Sequence, residues 1–192
     1  MQKFVLASNN PHKAEEIKAA LNGKFEILTL SDAGISINVV EDGETFEENA
    51  IKKATAVAKL TDWPVISDDS GLMVDYLNGA PGVHTAYFAG ENATDDMNID
   101  KLLREIDGVP ADKRGAKFVC IIAVIQNGET LTFRGECCGK ILEQRDGVGG
   151  FGYDPIFYYP PYDQTFATLP QNIKNEVSHR GNALRLMAEK IK

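Results

Sequence analysis

The feature that most restricts the fold of this chain is a long apolar segment that ends in a tight turn. Residues 116–126, with the sequence AKFVCIIAVIQ, form an apolar run that predicts a buried β-strand. Asn127-Gly128 follows directly, and this dipeptide is a strong signal for a two-residue hairpin turn. Residues 129–138 are therefore predicted to return as the antiparallel partner strand.

The N-terminal half alternates short apolar strands with helices, which predicts an α/β fold. Because the hairpin adds antiparallel strands, the sheet is expected to be mixed. The sequence contains no repeat and no Ser/Pro linker, so residues 1–192 are expected to form a single domain. The predicted strands are residues 3–7, 25–30, 64–68 and 72–76, and the predicted helices begin at Asn10-Pro11, at a capping box in residues 45–48, at Thr94 or Asp95, and at Ser178.

The composition argues against several classes of partner. The chain has 28 acidic and 20 basic residues and a net charge of −8, whereas a nucleic-acid surface needs an excess of Lys and Arg. No segment approaches the ~20 apolar residues of a membrane span, and the N-terminal apolar run is too short for a signal peptide. The cysteines, Cys120, Cys137 and Cys138, have no metal-ligand spacing. We therefore expect a cytoplasmic protein with reduced thiols and with neither a nucleic-acid nor a membrane partner.

The first stretch that suggests ligand binding is ASNNPHK, residues 7–13, between a predicted strand and a helix. A helix N-terminus offers free N–H groups and a positive dipole end to an anion. Ser8, Asn9 and Asn10 add neutral donors, and Lys13 adds a positive charge. The alternative is an ordinary capped helix start, because the glycines of a Walker loop are absent.

The second stretch is ISDDSGLMVD, residues 66–75, which places two adjacent carboxylates between apolar segments. Asp68 and Asp69 repel each other unless a positive group holds them. Adjacent carboxylates at the end of a strand can hold Mg²⁺, and a carboxylate there can orient a water or take its proton. The alternative is a turn in which one aspartate caps the backbone of Ser70-Gly71.

An acidic segment, residues 41–44, precedes a helix that carries Lys53. In the functional interpretation Glu41 is a metal ligand and Lys53 contacts a phosphate. The alternative is a solvated acidic turn followed by a charged helix face.

Two further stretches suit a ligand with an aromatic or polar ring. Residues 149–157 combine glycines with Phe151, Tyr153 and Asp154, and Asp154 is expected to be extended because a proline follows it. The alternative there is a tight strand bend packed by aromatic rings.

Three potential cations, Lys174, His179 and Arg180, lie just before or within a predicted helix start. Cations at a helix N-terminus oppose the dipole, which indicates an anion or a carbonyl acceptor nearby. The alternative is an exposed basic patch.

Taken together, six stretches in this order resemble the inosine triphosphate pyrophosphatase family, whose members act on non-standard purine nucleoside triphosphates. Each stretch alone is weak, and the order and spacing carry the resemblance, which runs nearly end to end. The six are ASNNPHK at 7–13, ETFEENAIKKA at 44–54, SDDSGL at 67–72, GAPGV at 79–83, GFGYDPIF at 150–157 and SHRG at 178–181.

The resemblance implies an elongated α/β fold in which helices flank a long mixed sheet and two lobes surround a deep central cleft. It also implies Mg²⁺-dependent hydrolysis of ITP/dITP and XTP/dXTP to the monophosphate and pyrophosphate. Family members are usually homodimers, so a homodimer is expected here.

The resemblance also assigns roles to residues. Asp69 would be the general base with Asp68 supporting it, and Glu41 and Asp69 would bind Mg²⁺. The residues expected to contact the triphosphate are Ser8, Asn9, Asn10, Pro11, His12, Lys13 and Lys53. Those expected around the base and sugar are Phe151, Asp154, Lys174, His179 and Arg180, and further substrate contacts are expected from Ser70, Gly152 and Tyr153.

Specificity is expected to depend on the purine 6-position. A keto oxygen there accepts hydrogen bonds from Arg180 or Lys174, whereas adenine would place a donor against a donor. Two positions depart from the family pattern, since Tyr87 stands where arginine is usual and Asn182 replaces a common Lys or Gln. The altered segment 84–88 motivates the alternative that an enzyme of this fold prefers a modified pyrimidine triphosphate.

Overall fold

The computed structural model describes residues 1–191, which contain seven β-strands, five α-helices and several short 3-10 helices. None of the helices in these residues is long and apolar enough to cross a membrane. The strands are β1 (Gln2–Leu6), β2 (Phe25–Leu28), β3 (Val65–Val74), β4 (Gly115–Gln126), β5 (Glu129–Ile141), β6 (Phe157–Tyr159) and β7 (Gln164–Thr165). The helices are α1 (Pro11–Leu21), α2 (Phe46–Ala58), α3 (Asp95–Glu105), α4 (Gln171–Val177) and α5 (His179–Lys190).

The strands form one mixed sheet in the order β2-β1-β3-β4-β5-β6-β7. β1 runs parallel to β2 and to β3, whereas β6 is antiparallel to both β5 and β7. Asn127 and Gly128 join β4 to β5 with φ values of 52° and 79°, and positive φ at both positions is what a type I′ hairpin turn requires. The predicted α/β fold with a mixed sheet and flanking helices is confirmed.

Side-chain caps confirm the predicted helix starts. Each cap accepts a hydrogen bond from a backbone N–H in the first turn, and such caps contribute about 1 kcal/mol each. At α2 the second half of the expected capping box differs, because the Glu48 carboxylate accepts from the N–H of Glu44 rather than from that of the cap itself. The four caps are Asn10, Thr45, Thr94 and Ser178.

Strand β3 corrects the sequence-based interpretation of residues 64–76. Two short strands separated by a polar turn were expected, but β3 is continuous from Val65 to Val74 and lies between β1 and β4. Asp68 and Asp69 are therefore in the middle of a strand, and their expected place at a strand end is wrong. The strand can carry both carboxylates because cations from helices neutralise them.

The region after β5 corrects one further expectation. Residues 153–172 contain β6, β7 and the start of α4. Asp154, predicted to be extended, instead begins the 3-10 helix Asp154–Ile156. Its carboxylate accepts the N–H of Phe151 at 2.9 Å, and this local bond favours a turn over an extended chain.

The chain divides into two compact units, each with its own hydrophobic core. The first unit contains Met1–Asp69, Cys120–Gly135 and the chain from Ser178 onward. Its core packs β1 and β2 against α1 and α5, and it buries one face formed by α5 and the residue after it. The buried residues of that face are Ala183, Leu184, Met187 and Ile191.

The second unit contains Ser70–Val119 and Glu136–Val177. Its core combines apolar residues of α3 with three packed rings, those of Phe118, Phe157 and Phe166. Cys137 is buried and its neighbour Cys138 is exposed, as expected for adjacent residues on a strand.

Candidate active site

The ends of two parallel strands bring the candidate residues of the first unit together. β1 ends at Leu6, which pairs with Ile66, so Asp68 and Asp69 continue β3 beyond the end of β1. The chain that leaves β1 enters α1 at this same edge of the sheet. Lys13, in the first turn of α1, therefore reaches Asp68, with 2.5 Å between Nζ and Oδ1.

Asp68 is fully buried and is surrounded by hydrogen-bond donors. The Arg180 Nε and the Cys120 thiol each donate to its Oδ2 at 3.0 Å, and Lys13 pairs with its Oδ1. Burial would raise the pKa of this carboxyl, but the charges of Arg180 and Lys13 outweigh that effect and hold the pKa well below its usual range. Asp68 is therefore a stable carboxylate at neutral pH.

Arg180 connects Asp68 to a second carboxylate. Its guanidinium is only 2% exposed and also forms an ion pair with Glu16 of α1. A Cβ at Gly135 would overlap the carbonyl oxygen of His179 and the N–H of Ala183, so this glycine lets β5 approach the start of α5. Arg180 follows His179 directly, so the contact between β5 and α5 helps to position its guanidinium.

Asp69 has different surroundings. Its Oδ1 lies 2.8 Å from Nζ of Lys53, and the same Nζ lies 2.5 Å from Oε2 of Glu41. Burial raises the pKa of Asp69 to about 7, and a hydrogen bond with Glu41 adds to the rise, although the charge of Lys53 opposes it. Burial would also raise the pKa of Glu41, but its bond with Asp69 and the charge of Lys53 bring it below the ordinary value. Asp69 can therefore gain or lose a proton near neutral pH.

The donor set at Asp69 fits a Mg²⁺ ion. Glu41 and Asp69 place two carboxylates around one lysine, and Mg²⁺ is commonly held by one or two carboxylates together with water and substrate phosphates. Among residues 1–191 no group of three or more His, Cys, Asp or Glu side chains is arranged to bind a metal. An ion held by Glu41 and Asp69 would thus have no third carboxylate, imidazole or thiol ligand from this part of the chain.

The loop after β1 is organised by its own polar side chains. Ser8 Oγ accepts from the N–H of Asn10 at 3.2 Å, Asn10 caps α1, and Asn9 donates to the carbonyl of Ile37 at 3.2 Å. Pro11 and His12 follow as exposed residues of the first helical turn. The loop keeps the helix N-terminus open to solvent, and Ser70 lies half-buried directly after the two aspartates.

The second unit holds another group of predicted residues, which we call the Lys174 cluster. Lys174 Nζ lies 2.6 Å from Asp154 Oδ2 and 4.8 Å from the centre of the Phe151 ring. Lys174 is only 2% exposed, although it lies in α4 rather than in the chain before a helix. The cluster joins a fixed charge to an aromatic face.

Neighbouring residues of this loop have structural contacts. Gly152 donates its N–H to Asp95 at 2.6 Å, and the buried Tyr153 donates its hydroxyl to the carbonyl of Thr85 at 3.0 Å. His179 and Arg180, which the resemblance also assigns to the base and sugar, belong to the first unit.

Two residues of the site were not identified from sequence. Glu16 lies one helical turn after Lys13, a spacing that places both on the same face of α1, so a buried charge there could have been suspected. Cys120 lies inside the long apolar strand, where nothing in the sequence separates it from other core residues.

Tyr87, the position where the family usually has arginine, is bonded to a neighbour. Its hydroxyl lies 3.1 Å from Nδ1 of His84 within the 3-10 helix Gly82–Tyr87, and its ring is 40% exposed.

Several known proteins are similar to this chain over nearly its full length. The Ham1 family model matches residues 4–190. A dITP/XTP pyrophosphatase of Clostridium perfringens is 49% identical, over 100% of this chain and 98% of the relative. A dITP/XTP pyrophosphatase of Geobacter sulfurreducens is 48% identical, over 100% of this chain and 97% of the relative.

A solved structure agrees with these sequences. The Ham1 protein of Staphylococcus aureus superposes with a TM-score of 0.88 at 42% identity and covers 99% of this chain and 98% of its own. The names of the relatives agree with the family that the six stretches resemble, so the predicted relationship is confirmed. This chain belongs to the Ham1 family.

Proposed function

We propose that this protein hydrolyses non-standard purine nucleoside triphosphates, ITP/dITP and XTP/dXTP, to the monophosphate and pyrophosphate, and so removes them from the nucleotide pool. Two relatives named dITP/XTP pyrophosphatase, at 49% and 48% identity, support this substrate class. The observation that carries the proposal is the grouping of Lys13 and Lys53 with Asp68, Asp69 and Glu41. Hydrolysis of a phosphoanhydride needs such a combination of cations and a proton acceptor.

Lys13 and Lys53 are the proposed triphosphate ligands. A pair of unit charges at ~4 Å contributes ~4 kcal/mol at an effective dielectric of about 20, so a triphosphate with about four negative charges needs strong local compensation. Asp68, Asp69 and Glu41 already pair with these lysines. The substrate therefore needs a further cation, which supports the proposal of Mg²⁺.

Glu41 and Asp69 are the proposed Mg²⁺ ligands. A bound ion would neutralise negative charge on the phosphate oxygens. Lys53 lies between the two carboxylates, so it can move to a phosphate oxygen while it stays within reach of both.

Asp69 is the proposed general base, and Asp68 is its support. Asp68 is engaged by Lys13, Arg180 and Cys120, so it orients cations rather than accepting a proton. In the metal-free protein the pKa of Asp69 is about 7, near the pH at which a catalytic base works best. A bound Mg²⁺ would lower this pKa and keep Asp69 in the carboxylate form that can accept a proton. In the proposed step water attacks a phosphorus in line, Asp69 takes the water's proton, and pyrophosphate leaves.

The Lys174 cluster is the proposed purine site. Stacking of a base on the Phe151 ring would contribute ~1–3 kcal/mol. Lys174, held by Asp154, would donate to a 6-keto oxygen, whereas adenine would leave a buried donor unpaired at a cost of ~1–3 kcal/mol. Lys174 is the better-supported donor to the base, because its Nζ lies 4.8 Å from the centre of the Phe151 ring, whereas the guanidinium of Arg180 pairs with Asp68 and Glu16.

The proposal also covers assembly, location and further substrate contacts. The homodimer, and the whole chain acting as one catalytic domain, are supported by the family resemblance, and the free thiols suit the cytoplasm. The further proposed substrate contacts are Ser8, Asn9, Asn10, Pro11, His12, Ser70, Gly152, Tyr153 and His179.

The decisive experiment incubates the purified protein and Mg²⁺ with ITP, XTP, ATP, GTP and a modified pyrimidine triphosphate, and measures pyrophosphate and orthophosphate separately. We expect pyrophosphate from ITP and XTP with a kcat/KM well above that for ATP. Equal turnover of ATP would contradict the specificity, and no pyrophosphate from any substrate would contradict the activity. A large kcat/KM lead for the pyrimidine would favour the alternative that Tyr87 and its segment motivate.

A further inference from the structure

The loop that carries Glu41 is attached to α2 by a series of contacts in reverse order. Successive loop residues meet helix residues that come progressively earlier in α2, so the loop lies back along the first two turns. The contacts are Glu41 with Lys53, Asp42 with Lys52, the N–H of Gly43 with Asn49, and the N–H of Glu44 with Glu48.

These contacts differ in how strongly they can fix the loop. The Asp42 and Lys52 side chains are 67% and 42% exposed, and that of Glu41 is 44% exposed, so water and salt weaken their ion pairs. Asn49 is only 2% exposed, and its Oδ1 accepts the N–H of Gly43 at 2.8 Å. A hydrogen bond that is shielded from water holds a fixed geometry better than exposed ion pairs do.

The glycine at position 43 makes this contact possible. A Cβ there would lie 2.7 Å from Oδ1 of Asn49 and 2.9 Å from Cβ of Glu48. Both distances are too short for real atoms, so any side chain would push the loop away from α2. The loop is thus fitted closely to Asn49 two residues after Glu41.

We propose that Asn49 is a positioning residue for Glu41. By holding the N–H of Gly43, it keeps the Glu41 carboxylate beside Asp69, as a metal ion bound by both carboxylates requires. This inference rests on the proposed Mg²⁺ site, and it adds a residue that touches neither metal nor substrate. Partners that orient a metal ligand commonly change metal affinity about 10-fold or more when they are removed.

The test measures binding of Mn²⁺ alone to the substrate-free protein, by the loss of the free-ion electron paramagnetic resonance signal. In Asn49→Leu the acceptor is removed, and we expect the Mn²⁺ Kd to rise about 10-fold. Asn49→Asp keeps an oxygen at the same place and should bind at least as tightly as wild type. Gly43→Ala should weaken binding while Asn49 is unchanged, and it remains informative if Asn49→Leu fails to fold.

Asn98 provides the matched control, since it is also 2% exposed and its Oδ1 also accepts a loop N–H, that of Ala89, at 2.8 Å. It belongs to the second unit. Asn98→Leu should lower the melting temperature and leave the Mn²⁺ Kd unchanged.

The inference is overturned if folded Asn49→Leu or Gly43→Ala binds Mn²⁺ with the wild-type Kd, or if Asn98→Leu weakens binding equally. It is also overturned if wild type binds no Mn²⁺ at millimolar concentration. Wild type that binds Mn²⁺ but releases no pyrophosphate from ITP or XTP would contradict the proposed function alone, because the effect of Asn49 on metal binding would remain.

Discussion

Asp68 and Asp69 are neighbours in one strand, yet they pair with cations from different helices. Adjacent strand residues point to opposite faces of a sheet, so Asp68 meets Lys13 of α1 and Arg180 of α5, whereas Asp69 meets Lys53 of α2. The first carboxyl has a pKa well below the usual range and the second has a pKa of about 7. Because side chains alternate between the two faces of β3, Asp68 remains a permanent carboxylate while Asp69 can accept a proton.

Removal of the proton acceptor should stop turnover without preventing substrate binding. We expect Asp69→Asn to lower kcat for ITP about 100-fold to 10,000-fold, the usual contribution of a general base, while ITP binding stays measurable by calorimetry. Asp62→Asn, at an exposed position, should leave kcat unchanged. Full activity of Asp69→Asn would show that another group accepts the proton.

Asp68→Asn should destabilise the fold in a pH-dependent way. The substitution removes the buried negative charge that pairs with Lys13 and Arg180. Breaking a buried ion pair in this way lowers the free energy of unfolding by about 3–5 kcal/mol. Because the folded-state pKa of Asp68 is lowered, its contribution is present above the unfolded pKa of ~3.9 and is lost as the pH falls through the folded value.

Urea unfolding of wild type and Asp68→Asn at several pH values checks this expectation. Glu26→Gln, which breaks an ion pair with Lys3 whose side chains are 39% and 44% exposed, should cost about 1 kcal/mol or less. Equal losses at neutral pH for the two variants would contradict the special role of the buried pair.

The contribution of Asp69 to stability should depend on pH in the opposite direction to that of Asp68. Its pKa is raised to about 7 in the folded protein, so the folded state holds this proton more tightly than the unfolded state does. Its stabilising effect is present below the unfolded pKa of ~3.9 and is lost as the pH rises towards 7. The stability of metal-free Asp69→Asn relative to wild type should therefore increase between acidic and neutral pH. A pH-independent difference in thermal unfolding would contradict the raised pKa.

Loss of the Phe151 ring in the second unit should weaken substrate binding. Phe151→Leu should raise KM for ITP about 10-fold, because base stacking contributes ~1–3 kcal/mol, with a much smaller change in kcat. Tyr76→Leu, which changes a ring that is 52% exposed, serves as the control and should leave KM unchanged. A fall in kcat alone for Phe151→Leu would place the ring elsewhere in the reaction.

Local signals in the sequence predicted much of the fold. The Asn127-Gly128 turn and caps such as Asn10 and Ser178 act within a few residues, so their chemistry can be recognised without the structure. The continuity of β3 could not be recognised, because the groups that neutralise Asp68 include Arg180, which is distant in sequence.

The residues of the candidate site could be predicted from the sequence only in part. The motif residues were identified, but their pairings were not, since Glu16 and Cys120 become partners of the site only when α1, β4 and α5 pack together. The different roles of Asp68 and Asp69 follow from that packing, and sequence spacing does not distinguish them.

The most direct test of the central claim is a carboxyl-detected NMR titration of the metal-free protein with the two aspartates assigned. We predict that Asp69 titrates with a pKa of about 7, while Asp68 stays ionised down to the lowest pH at which the protein is folded. Two aspartates that titrate together near the ordinary value of ~3.9, or Asp68 as the group with the raised pKa, would contradict the assignment of one fixed carboxylate and one proton acceptor.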